Sequence, residues 1–194
     1  MEPVLLMLLL GCRPPGRNTE QHDVFFGIGV SIRDLIPAIK KSWPEAKGII
    51  HIDAWRTITR VDGYAIKVTE ITADAAPATR ESDLFFINLG GYIDNEFDEF
   101  HYKMLVVAMD LEEAKARAKK SAFFKHSSVG RSANTPNATA HIDDKFGVDV
   151  DDAYKLQDIL PAAYKERYRI GISEQPGDNR QDELHLGYFR LQDL

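Results

Sequence analysis

The order of apolar and polar positions divides the chain into short strands and two amphipathic helices. "VLLMLLLG" (residues 4–11) and "LFFINLG" (84–90) are apolar runs closed by glycine, the mark of buried strands. "VFFGIGV" (24–30) and "KMLVVAM" (103–109) are apolar at odd and even positions alike, which predicts central strands covered on both faces. Ile32, Leu35, Ile39 and Trp43 recur at steps of three and four, as do Leu111, Ala114, Ala118 and Ala122, so each segment reads as a helix with one buried stripe. Both helices open with a capping pair, Ser31 with Asp34 and Asp110 with Glu113, whose oxygens can satisfy free backbone N–H groups. In "IIHIDAW" (49–55) strict alternation sets His51, Asp53 and Trp55 on one face of a strand and Ile50 and Ile52 on the other.

The pattern occurs twice. Residues 5–42 align with 84–121 at a constant shift of 79 without a gap, with identity at Leu5/Leu84, Leu10/Leu89, Gly11/Gly90, Glu20/Glu99, His22/His101, Lys40/Lys119, Lys41/Lys120 and Ser42/Ser121. Chance at average composition gives about two identities over such a stretch. "HID" at 51–53 then recurs at 141–143, a shift of 90, which assigns an 11-residue insertion to the Ser-, Asn- and Gly-bearing "KHSSVGRSANTPNATA" (125–140), read as a surface loop. "YAIKVTE" (64–70) resembles "YRIGISE" (168–174) at a shift of 104, so "AYKLQDILPAAYKE" (153–166) is a second insertion, expected as a short helix. "ITADAAPATRES" (71–82) is the link between copies. The expected organisation is a first repeat over 1–75, a second with two insertions over 83–175, and a C-terminal segment, 176–194, that packs back as a strand or docking tail. Each copy reads as strand, loop, strand, helix, strand, strand. The fold class is α+β, with mainly antiparallel sheets, a helix on one face and a pseudo-twofold arrangement.

Composition narrows the function classes. A chain of 194 residues with 44% hydrophobic and 28% charged residues can bury one sizeable core or two small ones. A net charge of −6 and no Lys/Arg-rich face argue against binding duplex nucleic acid, which requires a positive field. A single cysteine, Cys12, excludes an internal disulfide and a multi-cysteine metal site. The longest apolar run falls far short of the roughly 20 residues that span a bilayer. "LLGC" (9–12) has the look of a lipoprotein export site, but "MEP" before it carries no Lys or Arg, and residues 5–11 recur as a strand in the second copy. The expectation is therefore a cytoplasmic protein that retains this segment, with no membrane partner.

Repeated apolar residues are explained by repeated cores; repeated polar residues carry more information. They are Glu20 and His22 with Glu99 and His101, and His51 and Asp53 with His141 and Asp143. Imidazole and carboxylate together suit Zn, Mn or Fe, and a histidine oriented by a carboxylate suits proton transfer. The same groups can instead satisfy one another's half-buried polar atoms by hydrogen bonding. Gly27 and Gly29 leave one strand face bare, which marks close packing, whereas Gly11, Gly90 and Gly91 are expected to permit a special backbone angle at a strand end. Neither glycine pattern matches a phosphate-cradling motif, and no serine sits in a nucleophile elbow. Cys12 has Gly91 as its counterpart, so a cysteine mechanism would be confined to one half. "NAT" (137–139) matches a glycosylation acceptor, and Tyr188 with Phe189 in "LHLGYFRL" reads as a last strand or docking segment.

"QHDVFFGIG", "HIDAW", "VDGY", "FFINLGGY", "EFHYKMLVVA", "HIDDKFGVDVDD" and "LHLGYF" together resemble a bacterial domain-of-unknown-function family, numbered 1543, whose members carry one or two copies of the domain. The resemblance implies a small bacterial protein of two such domains and carries no established activity. Two readings of function follow. The first is a non-catalytic module that binds a small molecule or another protein, with a homodimer compatible with its sheets. The alternative is a metal-dependent hydrolase or other enzyme that uses the duplicated Glu/His and His/Asp pairs.

Overall fold

The apolar runs form antiparallel sheets in the computed structural model, which describes residues 2–72, 81–92, 97–129, 149–175 and 180–194. The strands are β1 (Val4–Cys12), β2 (Gln21–Gly29), β3 (His51–Ile58), β4 (Arg60–Val61), β5 (Tyr64–Glu70), β6 (Asp83–Tyr92), β7 (Glu99–Ala108), β8 (Asp149–Lys155), β9 (Tyr168–Glu174) and β10 (His185–Arg190). The chain divides into two units, Met1–Pro77 with Gln157–Leu194, and Ala78–Leu156. Both are built of antiparallel sheet and helix, so the fold class is α+β. Among the described residues no helix is long and apolar enough to cross a membrane.

In the first unit the sheet order is β10-β3-β1-β2. Leu6, Leu8, Leu10 and Cys12 alternate onto one face of β1 and pack with Phe25, Ile50 and Ile52 against Ile32, Leu35 and Ile39. These last three come from a tight helical turn, Ile32–Leu35, that runs into helix α1 (Ile36–Ser42). Leu35 fits because β2 has no side chain beneath it: a Cβ on Gly27 would come within 2.5 Å of Leu35 Cδ2, and one on Gly29 within 2.7 Å of Cδ1. The bare face of β2 is the seat of the helix. Burial pushes the Cys12 thiol above its ordinary pKa, with the negative charge of Glu20 adding to the shift.

The helix start is fixed electrostatically. The Asp34 carboxylate accepts the backbone N–H groups of Val30 (3.0 Å) and Ser31 (2.9 Å). Asp34→Ala is expected to cost about 1 kcal/mol, the ordinary value of a helix cap. Denaturant unfolding followed by tryptophan fluorescence measures it, since both tryptophans, Trp43 and Trp55, lie in this unit.

In the second unit the order is β7-β6-β8, with Phe85, Ile87 and Leu89 packed against Ala114 and Ala118 of helix α2 (Leu111–Val129). Its start repeats the first: Glu113 N–H donates to Asp110 at 2.9 Å and Met109 N–H to Glu113 at 2.8 Å. The helix extends into the segment read as a loop; the rest of that loop, with the 137–139 acceptor motif, and most of the 71–82 link lie outside the described residues.

The two sheets share their registers. Val4 opposes Gly29 in β1–β2 and Asp83 opposes Ala108 in β6–β7, the same pairing at a shift of 79. β1–β3 and β6–β8 share a second feature, a bulge that slips the register between Leu9 and Leu10 and between Asn88 and Leu89. β2 and β7 are terminal rather than central in these sheets. Their residues are buried on both faces at one end of the strand, and hydrophobicity does not distinguish such cover from lateral neighbours.

The related segments β5 and β9 pair with each other in a three-stranded sheet with β4. Tyr64 opposes Glu174 and Tyr168 opposes Glu70, a local two-fold pairing centred on Lys67 and Gly171. Residues 168–174 thus belong to the first unit, as does β10, which lies antiparallel to β3. The second insertion contains two short helical turns, Leu156–Ile159 and Ala162–Arg167.

Candidate functional site

Gly11 in β1 stands opposite His22 of β2 on one side and His51 of β3 on the other. Three adjacent strands therefore bring both imidazoles to one place, and Glu20, just before β2, reaches it from the loop. His51 Nε2 lies 3.1 Å from Glu20 Oε1 and 3.2 Å from Asp53 Oδ1. His22 Nε2 lies 3.3 Å from Asp53 Oδ2 and 3.8 Å from Glu20 Oε2. The four side chains close a ring in which each carboxylate turns one oxygen to each imidazole.

The floor of this ring is buried and its rim is open. The His51 side chain is 7% exposed and Asp53 27%, against 44% for both Glu20 and His22. His51 Nε2 and Asp53 Oδ2 have no hydrogen-bond partner among the described residues, despite the short distances. Leaving such an atom unpaired costs about 1–3 kcal/mol.

Gly11 is the reason the ring can form. A Cβ there would lie 2.5 Å from Asp53 Oδ2 and would collide with His51 Nε2. The expected role for this glycine, a special backbone angle, is corrected: Gly11 and Gly90 sit within extended strands, and among the described residues the positive-φ glycines are Gly16, Gly48, Gly63 and Gly187. What these strands require is the missing side chain. The bulge also corrects the face of Trp55. Leu9 opposes Ala54 and Leu10 opposes Ile52, so Asp53 is the extra residue, and Trp55 moves to the helix-facing side, where it packs with the core.

The second unit holds a related but smaller cluster. A Cβ on Gly90 would collide with Asp151 Oδ2, and His101 Nε2 lies 3.1 Å from the same oxygen and 4.0 Å from Glu99 Oε2. One ligating atom from each of Glu99, His101 and Asp151 lies within 4.8 Å of the other two. All three are exposed, and no buried imidazole lies under them among the described residues. The register corrects the expected partners: Gly90 opposes Asp149 where Gly11 opposes His51, so the counterpart of His51-x-Asp53 is Asp149-x-Asp151, at a shift of 98 rather than 90. His141 and Asp143 lie outside the described residues.

Two imidazoles and two carboxylates form a donor set that suits Zn, Mn or Fe. A four-coordinate ion with bonds of about 2.0–2.2 Å has ligand–ligand edges of roughly 3.3–3.6 Å. The contacts of the first ring, 3.1 to 3.8 Å, draw on both oxygens of each carboxylate, and no three of its residues bring one ligating atom each within 4.8 Å of the others as Glu99, His101 and Asp151 do, so a single ion there would have to draw the four side chains inward. Residues 17–68, which contain all four side chains, match the family model described as Domain of Unknown Function (DUF1543). That match supports the resemblance drawn from the sequence. A crystal structure of protein Il1583 from Idiomarina loihiensis is similar over 98% of each chain, with a TM-score of 0.61 and 24% sequence identity, a likeness of fold. A search of curated proteins gives no match.

Sequence reasoning reads Tyr188 as part of a last strand or docking segment, which β10 is, but places neither it nor Asp151 at a site. The Tyr188 ring stacks on that of His51, with centroids 4.1 Å apart and planes at 29°. Asp151 was discoverable only through the β6–β8 register, and Tyr188 only through the pairing of β10 with β3.

Proposed function

We propose that this protein is a non-catalytic binding module whose first unit holds a divalent transition-metal cation between Glu20, His22, His51 and Asp53. The observation that carries this reading is the buried Nε2 of His51, set between two carboxylates and hydrogen-bonded to neither. A ring of structural hydrogen bonds would align the N–H with an oxygen. A shared cation would instead draw the four donors inward around one point, a closer grouping than the ring has by itself. The cation would in turn offer its open side, between Glu20 and His22, to a small molecule with oxygen donors.

The test uses full-length protein made without a histidine tag. Elemental analysis of the purified protein is expected to give about one equivalent of Zn, Mn or Fe bound at this site. After chelation, zinc at 100 times its Kd should stabilise the first unit by about 2.7 kcal/mol. Absence of metal together with an unchanged unfolding transition across Zn, Mn and Fe titrations would overturn the proposal.

A second reading, metal-assisted hydrolysis, draws on the 44% exposure of Glu20 and His22, which leaves one side of the cluster reachable by water and substrate. Turnover of simple ester or phosphoester substrates by the zinc-loaded protein, lost in His51→Ala, would favour it over the binding module.

A further inference from the structure

We infer that Tyr188 is a positioning residue for this cluster, holding the His51 ring so that Nε2 faces Glu20 and Asp53; the inference rests on the cation-binding reading above. The backbone of β10 is shaped for this. His185 opposes Trp55 and Leu186 opposes Ala54, but Phe189 then opposes Ile52, so β10 spends one residue more than β3 over this stretch. Gly187 absorbs the bulge at φ 150°, a backbone conformation that residues with a side chain rarely adopt. A Cβ on Gly187 would also press on the Phe189 ring at 3.2 Å.

The bulge sends neighbouring aromatic side chains in opposite directions. Phe189 packs into the helix-facing core, while Tyr188 turns to the other face of the sheet and covers the His51 ring. Tyr188 is 64% exposed, yet the side chain of His51 beneath it is only 7% exposed. A large aromatic residue left that open gains little from its own burial. Its contribution is to bury the imidazole and limit rotation of its ring. Without the stack, His51 can turn Nε2 away from the carboxylates, and the donor set loses its buried member. The β1 backbone at Gly11 bounds the ring on one side, and Tyr188 bounds it by stacking on its face.

The test compares Tyr188→Ala and Tyr188→Phe with the unaltered protein, using zinc competition titration and the rate at which diethyl pyrocarbonate modifies His51 in the metal-free protein, read by mass spectrometry. Tyr188→Ala is expected to raise the zinc Kd about three- to tenfold, the range that loss of one aromatic stack supports, and to speed modification of His51. Tyr188→Phe should leave both unchanged. Should Tyr188→Ala unfold β10, Tyr188→Leu replaces it. The inference is overturned if the alanine or leucine variant matches the unaltered protein in both measurements, or if the phenylalanine variant behaves like alanine. If the unaltered protein binds no zinc, the cation reading fails separately, and the modification rate alone decides the role of Tyr188.

Discussion

Replacing His51 by alanine is expected to abolish tight zinc binding while leaving the metal-free first unit almost as stable as before. The two halves of that result have different causes. Loss of an outer-shell partner of a metal ligand costs about 10–100-fold in affinity, and loss of a buried ligand should cost more. Stability follows the hydrogen-bond inventory: His51 Nε2 has no hydrogen-bond partner among the described residues, so its removal takes away an unsatisfied buried atom together with some packing against Tyr188. We expect these to offset to within about 1 kcal/mol. If the ring were a structural ion pair, removal of one buried partner should instead destabilise by about 3–5 kcal/mol. Paired measurements of zinc affinity and metal-free unfolding therefore separate the two interpretations. A variant that loses several kcal/mol of stability with no change in zinc affinity would sink the cation site.

Much of this site was legible in the sequence, and its limits follow from how sheets are built. Glu20, His22, His51 and Asp53 stood out because polar identities in a duplicated stretch are not needed twice for a core. Their convergence over Gly11 depends on registers between β1, β2 and β3, which spacings of tens of residues do not encode. The bulge at Asp53 is harder still. A one-residue slip leaves the local composition of "IIHIDAW" unchanged but reverses the face of every residue beyond it, so strict alternation puts Trp55 with His51 whereas it lies on the opposite face. The same limit explains the second half. "HID" at 141–143 matches in letters, whereas hydrogen-bonded register assigns the equivalent place to Asp149-x-Asp151.

The helical stripe and bare strand face, by contrast, could be read directly: Leu35 at its position in the apolar stripe, and Gly27 and Gly29 two apart in β2. These are also the positions where position-by-position patterning becomes three-dimensional packing. The glycines give up side-chain burial so that one leucine can sit against the backbone of β2, and the helix follows that leucine.

Leu35→Ala is expected to destabilise the first unit by about 2–5 kcal/mol, the range for a fully buried leucine whose surroundings cannot collapse. Gly27→Ala alone should cost about 1–3 kcal/mol, because its new Cβ would sit within 2.5 Å of Leu35 Cδ2 and force the helix outward. The double variant distinguishes packing from general strand damage. With Leu35 truncated, the methyl group on residue 27 fills part of the space vacated, so the combined loss should fall short of the sum by about 0.5–3 kcal/mol. Tryptophan fluorescence in denaturant isolates the transition of this unit. Strict additivity would mean that Gly27 is required for some reason other than the leucine above it. Leu35 and the Gly11 cluster lie on opposite faces of the sheet, so zinc affinity measured well below the unfolding midpoint should stay within about twofold of the unaltered protein. A large loss of affinity in Leu35→Ala would show that the helix seat and the cluster are coupled through β1, and that the packing beneath the sheet helps set the geometry above it.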